Sequence, residues 1–270
     1  MHLRRLLTTI VLSAAVAGTL EAQSTFTETF AYSNGALAGQ GGWSRIGSTV
    51  TNPLTVTSGS VSFATTGEDV GSALGFSASS GSLYAGFDLA LTGAQATGDY
   101  FLAFNTAATA TNYTGRFFAK SSGSGYVLGY QLGVTGATPS YSSTVLDFST
   151  TYRIVMRYDF VSGTLNDQGT FYVNPSSVTE LSNTAAVSTI TWAGTTSENA
   201  SLAAIALRQG TASSAATISS FDNLIVSTSF STAANISAVP EPSTYAALLG
   251  AAGLLGVFVQ RRRRRISTQA

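Results

Sequence analysis

The long middle of this chain predicts an all-β protein, an antiparallel sandwich, on three observations. Short segments alternate apolar and polar residues with a period of two. No apolar repeat of helical period runs beyond two turns. Clusters of Gly, Ser, Asn and Pro separate the segments at hairpin-like spacing. A Ser and Thr bias also accompanies disorder, but Phe and Tyr recur in nearly every segment, and a disordered region lacks them.

Before the sandwich, Arg4 and Arg5 precede an apolar run from Leu6 to Ala17, and small residues follow, the order of a secretory signal peptide. Cleavage after Ala22 leaves Gln23 at the mature N-terminus; cleavage after Ala17 would cut into the apolar run. Residues 1–22 are therefore expected to be the signal peptide and 23–232 the sandwich. Alternation is clearest over 152–160: Tyr152, Ile154, Met156, Tyr158 and Phe160 share one face, with Arg153, Arg157 and Asp159 on the other. Leu83, Ala85, Phe87, Leu89 and Leu91 alternate likewise. Further strands are expected at 25–30, 60–64, 99–105, 115–120, 125–132, 144–148, 169–173, 202–208 and 218–228. Turn formers at 121–125, 166–169 and Asn174-Pro175 punctuate them. Residues 233–238 are expected to be a linker.

The end of the chain has three parts. Pro240-Glu241-Pro242 cannot continue a strand or a helix interior, because each proline lacks an amide proton and has a fixed φ, so the triplet predicts an extended hinge. Residues 243–260 carry no charge and are rich in Ala, Leu and Gly. As a helix these 18 residues reach roughly 27 Å, just enough for a hydrocarbon core of about 30 Å. Arg261, Arg262, Arg263, Arg264 and Arg265 then stop transfer and hold that end in the cytoplasm.

The order of hinge, short span and basic cluster resembles the PEP-CTERM sorting signal of Gram-negative bacteria, here over 239–265 with 266–270 as a short tail. The resemblance implies that exosortase, a membrane protease-transpeptidase, recognises Pro240, Glu241 and Pro242 and removes the segment, while the arginines retain it. In that family the genes commonly accompany exopolysaccharide production. An ordinary single-pass anchor that is never cut is the alternative. Basic groups before the first apolar segment and after the last both favour the cytoplasm, so everything between them is expected to be exported. Signal peptidase and exosortase are the expected processing partners. The expected course is a transient stay in the inner membrane, then the cell surface, outer envelope or extracellular matrix.

Composition narrows the chemistry. Of the 13 basic residues, two lie in the leader and five in the tail, so six remain in the exported part against 11 acids. A mildly acidic body argues against nucleic acid, which requires clustered Lys and Arg. There is no Cys, so the body must stand on core burial without disulfides. The one histidine is His2, in the leader. That excludes Ser-His-Asp and Cys-His hydrolysis and any zinc site built on His or Cys. No cofactor and no metal is expected, and no Asp-x-Asp-x-Asp-Gly calcium loop occurs.

A second resemblance covers most of the body. Phe26-Thr27-Glu28-Thr29-Phe30-Ala31-Tyr32, with Gly39-Gln40-Gly41-Gly42-Trp43 after it, is similar to the start of bacterial LamG-like, concanavalin-type jelly rolls. So are Gly98-Asp99-Tyr100-Phe101, Arg116-Phe117-Phe118, the run from Tyr158-Asp159-Phe160 to Tyr172-Val173-Asn174-Pro175, and Phe221-Asp222-Asn223-Leu224. The resemblance implies two large stacked sheets of a jelly roll. Alternation alone leaves an immunoglobulin-like or β-helical arrangement open, although no repeat of 20–50 residues supports a solenoid.

Concanavalin-like folds include lectins and glycoside hydrolases. Retaining hydrolases need two carboxyls roughly 5 Å apart, and the Glu-x-Asp-x-x-Glu pattern of jelly-roll hydrolases does not occur here. Glu68 and Asp69 are adjacent, so in a strand they would point to opposite faces, and they are expected to be a solvated loop pair or a minor cation contact. Glu180 and Glu198 have no partner at useful spacing, and Arg153, Arg157 and Asp159 are expected to form strand-face ion pairs. Trp43 and Trp192 could form a sugar-stacking platform, but core or edge packing is the favoured reading for both. The sequons at Asn112, Asn199 and Asn235 carry no weight in a Ser/Thr-rich bacterial chain. The function expected is that of a non-enzymatic exported β-sandwich, structural or adhesive in a polysaccharide-rich envelope. The alternatives are a carbohydrate-binding, lectin-like module and, third, a glycoside hydrolase.

Overall fold

The computed structural model describes residues 24–133, 138–193 and 197–237. The chain opens with β1 (Thr25–Glu28), β2 (Gly35–Ala36), β3 (Ser44–Ile46), β4 (Thr55–Thr57) and β5 (Ser60–Phe63). Two long strands follow, β6 (Asp69–Ala78) and β7 (Gly81–Gly93), then β8 (Asp99–Asn105), β9 (Thr114–Ser122), β10 (Gly125–Gln131) and β11 (Ser140–Tyr141). The set closes with β12 (Tyr152–Phe160), β13 (Gln168–Val173), β14 (Ile190–Thr191), β15 (Leu202–Leu207), β16 (Thr217–Ser227) and a short helix α1 (Phe230–Ala233).

These strands form two sheets. The nine-stranded sheet runs β14-β13-β12-β7-β16-β5-β4-β2, with β1 also paired to β16. The seven-stranded sheet runs β11-β10-β9-β8-β15-β6-β3. Each named strand pairing is antiparallel. The chain changes sheets repeatedly: β6 and β7 lie in opposite sheets although only Ser79 and Ser80 separate them, and β15 and β16 divide in the same way. Sequence neighbours thus end up facing each other across the core, which is the jelly-roll form of sandwich.

Alternation puts one face of each sheet inside. On β12, Ile154, Met156 and Tyr158 are fully buried, with Phe87 of β7 and Phe171 of β13 beside them in one core. The centre is aromatic. Phe87 stacks on Phe221 at 5.0 Å and meets Phe101 and Phe117 of the opposite sheet edge-on at 6.3 and 5.7 Å; Phe117 meets Phe171 at 5.0 Å.

Several expected elements differ. Residues 144–148 form no strand; Leu146 makes an isolated bridge to Tyr126, exchanging both backbone bonds at 2.8–2.9 Å. The long strand β6 was not expected, because Gly71, Ser72 and Gly75 dilute its alternation. Its small residues have a steric cause. A Cβ on Gly71 would lie 2.1 Å from the carbonyl oxygen of Ala108, so the 107–110 turn packs directly on this strand.

The expected linker also begins inside the folded body. Ser229 caps α1, and Ala233 and Ala234 are buried against the outside of the nine-stranded sheet. Phe230 packs edge-on against Tyr84 and Tyr172, at 5.8 and 5.1 Å. Arg153 donates from Nη2 to the Ala233 carbonyl at 2.5 Å and from Nη1 to the Asn223 carbonyl at 2.8 Å. This strap explains why Val155, on the outer face of β12, is buried as well. Among the described residues no helix is long and apolar enough to cross a membrane. The expected span 243–260, the leader 1–22, Pro240, Glu241, Pro242 and Arg261 to Arg265 all lie outside the described residues.

Phe230→Ala should free the strap. Unfolding in urea should show a loss of about 3 kcal/mol, the usual cost of truncating a buried phenylalanine.

Candidate functional site

Alternation on β9 sends Phe117 and Ala119 into the core and leaves Arg116, Phe118 and Lys120 on the outer face of the seven-stranded sheet. Register supplies their neighbours. Phe118 lies opposite Tyr100 of β8 and Gly129 of β10, and Gly129 lies opposite Tyr141 of β11. The result is a row perpendicular to the strands: Tyr141, Gly129, Phe118, Tyr100. Tyr141 leans across the glycine, its ring 6.5 Å from Phe118, and Tyr100 is 5.6 Å from Phe118. Only glycine fits between them, because a Cβ on Gly129 would meet the Tyr141 ring at 2.6 Å. Tyr113, just before β9, adds a fourth ring 5.6 Å from Tyr100.

Three cations lie over this shelf. The Arg208 and Arg116 guanidinium carbons sit 4.2 and 5.1 Å from the Tyr100 ring centre, and Lys120 Nζ sits 4.1 Å from that of Tyr141. Arg208 also pairs with Asp99 at 2.9 Å and Asp69 at 3.9 Å, and Asp99 accepts from the Ser214 hydroxyl at 2.9 Å. Burial pushes the Asp69 carboxyl above its ordinary range, against the pull of the Gln209 amide and Arg208. Burial, with Asp99 adding, pushes Tyr141 up to about 12. Phe118 and Tyr113 are buried, 9% and 7% exposed, and support the half-buried Tyr100 and Tyr141 from beneath. A sugar polymer would therefore meet the edges of those two tyrosines while its oxygens accept from guanidinium and ammonium groups.

The tryptophans lie elsewhere. Trp43 is 1% exposed, packs 5.8 Å from the Phe30 ring, and donates from Nε1 to Glu28 at 3.0 Å. Glu28 also accepts from the Phe30 amide at 2.6 Å and the Tyr32 hydroxyl at 2.5 Å, so the opening motif folds around a buried carboxylate that draws Trp43 inward. Burial and that bond push Tyr32 up to about 12. Trp192 is 6% exposed. Neither indole offers a face for stacking; core packing is what the structure shows.

The acids correct one expectation. Glu68 is 1% exposed and accepts from Arg45 Nε at 2.5 Å, so Glu68-Asp69 is not a solvated pair. Glu180 has partners on three strands: Tyr84 and Tyr172 each donate to it at 2.7 Å and Arg157 at 2.8 Å. Glu198 accepts the backbone amides of Asn166 and Asp167, and Asp167 accepts from the Tyr158 hydroxyl and the Val161 amide. The expected strand-face ion pairs are present, Arg157 with Asp159 at 2.7 Å and Arg153 with Asp88 at 3.2 Å. A cavity of about 670 Å³ opens between the β6–β7 link and the loops that carry Asp167 and Glu198. Both of its carboxylates anchor loop amides. Among the described residues no group of three or more His, Cys, Asp or Glu could hold a metal.

In the sequence Tyr100, Arg116 and Phe118 stand out only as parts of a family resemblance, and Gly129, Lys120 and Tyr141 do not stand out at all. The Arg116-x-Phe118-x-Lys120 spacing was a readable signal, one strand face with two cations around a ring. The partners on β8, β10 and β11 come from register, which no spacing reveals.

Residues 238–265 match the PEP-CTERM protein-sorting motif. The motif marks an exported, exosortase-sorted, membrane-transiting protein of the kind found in Gram-negative bacteria. No curated protein matches the chain. Among solved structures it is similar to the carbohydrate recognition domain of Emp47p, at 12% identity and a TM-score of 0.43, over 76% of this chain and 94% of that one. It is also similar to the CBM2 module of the evolved Dit of Lactobacillus casei BL23 phage J-1, at 10% identity and a TM-score of 0.46, over 76% and 96%. A third is a beta-1,3-glucanase from Mycobacterium marinum, at 9% identity and a TM-score of 0.38, over 75% and 95%. At such identities and scores no activity carries over.

In a near-ultraviolet titration Tyr32 and Tyr141 should ionise near 12 instead of the ordinary 10.0. Because the folded values are raised, the stability these two contribute is complete below pH 10 and is lost as pH climbs through 12. Gly129→Val, which lifts the Tyr141 ring off the sheet, should return that residue towards its ordinary value.

Proposed function

We propose that the chain is a non-catalytic adhesive protein of a polysaccharide-rich envelope, and that it holds glycan on the outer face of the seven-stranded sheet. The observation behind this is the cross-strand row of Tyr141, Phe118 and Tyr100, opened by Gly129 and overlaid by cations. Adhesion and carbohydrate binding, alternatives at the level of sequence, become one activity on such a face. A hydrolase has less support, since Asp167 and Glu198, the carboxylates at the cavity, are committed to backbone amides and Tyr158.

Delivery follows from the tail. Signal peptidase removes residues 1–22. Exosortase recognises Pro240, Glu241 and Pro242, while a span over 243–260 and the cluster from Arg261 to Arg265 hold the chain in the inner membrane until it is cut. The body then goes to the cell surface, outer envelope or extracellular matrix. The intact mass of the protein recovered from the envelope should lack both terminal segments; a mass that retains 243–270 would mean a permanent anchor.

The recovered protein should co-sediment with the polysaccharide purified from the same envelope. Tyr100→Ala and Tyr141→Ala should each weaken retention about tenfold, the usual effect of removing an aromatic anchor. Retention unchanged in both variants would overturn the assignment of the face. Reducing ends released from the bound polymer would overturn the non-catalytic half.

A further inference from the structure

The charge on this face points to the ligand's own charge. Resting on the glycan-binding reading above, we propose that the polymer held there is anionic, a glycan bearing carboxylate or sulfate groups, and that Arg116 and Lys120 are the residues that meet them.

The body has six cations among 11 acids. Four are neutralised within the fold: Arg45 by Glu68, Arg153 by Asp88, Arg157 by Asp159 and Glu180, and Arg208 by Asp99 and Asp69. Arg116 and Lys120 make no ion pair among the described residues. In so acidic a body, leaving two cations without a carboxylate, on one face of one strand, is the arrangement that calls for a partner from outside.

Their setting suits that partner. They flank Phe118, four residues apart, roughly 13 Å along the strand. Each head group is held over a tyrosine ring, which restricts its motion without neutralising it. Both therefore stand pre-positioned, and little freedom remains to be lost on binding. The Nε of Arg116 is buried and has no hydrogen-bond partner among the described residues, a donor still lacking an acceptor. A row of rings with two fixed, unneutralised cations matches a chain whose sugars rest on the tyrosine edges and whose acidic groups project at intervals. A neutral glycan would leave both cations unanswered.

The test uses the protein recovered from the envelope and four probes: polygalacturonate, dextran sulfate, neutral dextran and single-stranded DNA. Polygalacturonate or dextran sulfate should bind, the stronger of the two identifying the acidic group, and affinity should fall as salt is raised from about 0.05 to 0.5 M. Arg116→Gln and Lys120→Gln should each cost about tenfold, and the double variant should lose most of the salt dependence. Arg116→Lys should keep the salt dependence while binding more weakly, because charge remains and the planar fork is gone. The unfolding midpoint should fall only slightly in the glutamine variants, since each loses one cation–π contact and no internal ion pair is broken. Lys120 is the single lysine in the chain, so the bound polyanion should also slow its acylation by an amine reagent.

Neutral dextran binding as well as the polyanions, with no effect of salt or of the glutamine variants but loss in Tyr100→Ala, would overturn the charge assignment and leave the face standing. Binding of none of the glycans would overturn both. Single-stranded DNA binding as tightly as the acidic glycans would show a general polyanion surface and overturn the glycan assignment.

Discussion

The packing of Phe87 against Phe101, Phe117 and Phe221 holds this protein together. With no cysteine, no disulfide ties the two sheets together, and sheets about 10 Å apart adhere through the side chains that interleave between them. Phe87 and Phe221 come from the nine-stranded sheet, Phe101 and Phe117 from the other, and their edge-on and stacked contacts at 5.0–6.3 Å fill the middle of that gap. Once the inner faces have absorbed the apolar residues, the outer faces are free to differ. The nine-stranded sheet is closed over by α1 and by a net of Arg153, Arg157 and Glu180. The seven-stranded sheet keeps its rings and cations near the surface.

The regular parts of this arrangement were legible in the sequence. The strand over Tyr152–Phe160 has the bounds that its alternation indicates, and Arg157 and Asp159 pair across its outer face. The limits have physical causes. β6 hides because a turn presses on it, and the small residues that this contact demands erase the hydrophobic period. Glu180 has no second carboxylate, and its actual partners, Tyr84, Arg157 and Tyr172, are brought to it from three strands by sheet register. Core packing is the favoured reading for Trp43 in the sequence and is what the fold shows, but its partner, the buried carboxylate of Glu28 fifteen residues earlier, is not visible there. Long-range register decides such cases, and it is invisible to composition and spacing alike.

The body stays packed almost to the last described residue. The last packed residues belong to the strap beneath Arg153, where Ala234 is buried and Ile236 still touches the same cluster. The match to the sorting motif starts at residue 238. The row of rings lies on the opposite side of the sandwich from this strap.

The placement of the six basic residues has one more effect. Arg45, Arg116, Lys120, Arg153 and Arg157 lie within strands, and Arg208 immediately follows one, with its amide bonded to Phe101. Trypsin-like proteases cleave after Arg or Lys only where the chain can be drawn out into their cleft, and such segments are loops. In the described part of this protein the loops carry Ser, Thr, Gly and Asn in place of cleavable residues. A secreted domain built this way resists digestion by that class of enzyme for as long as it stays folded.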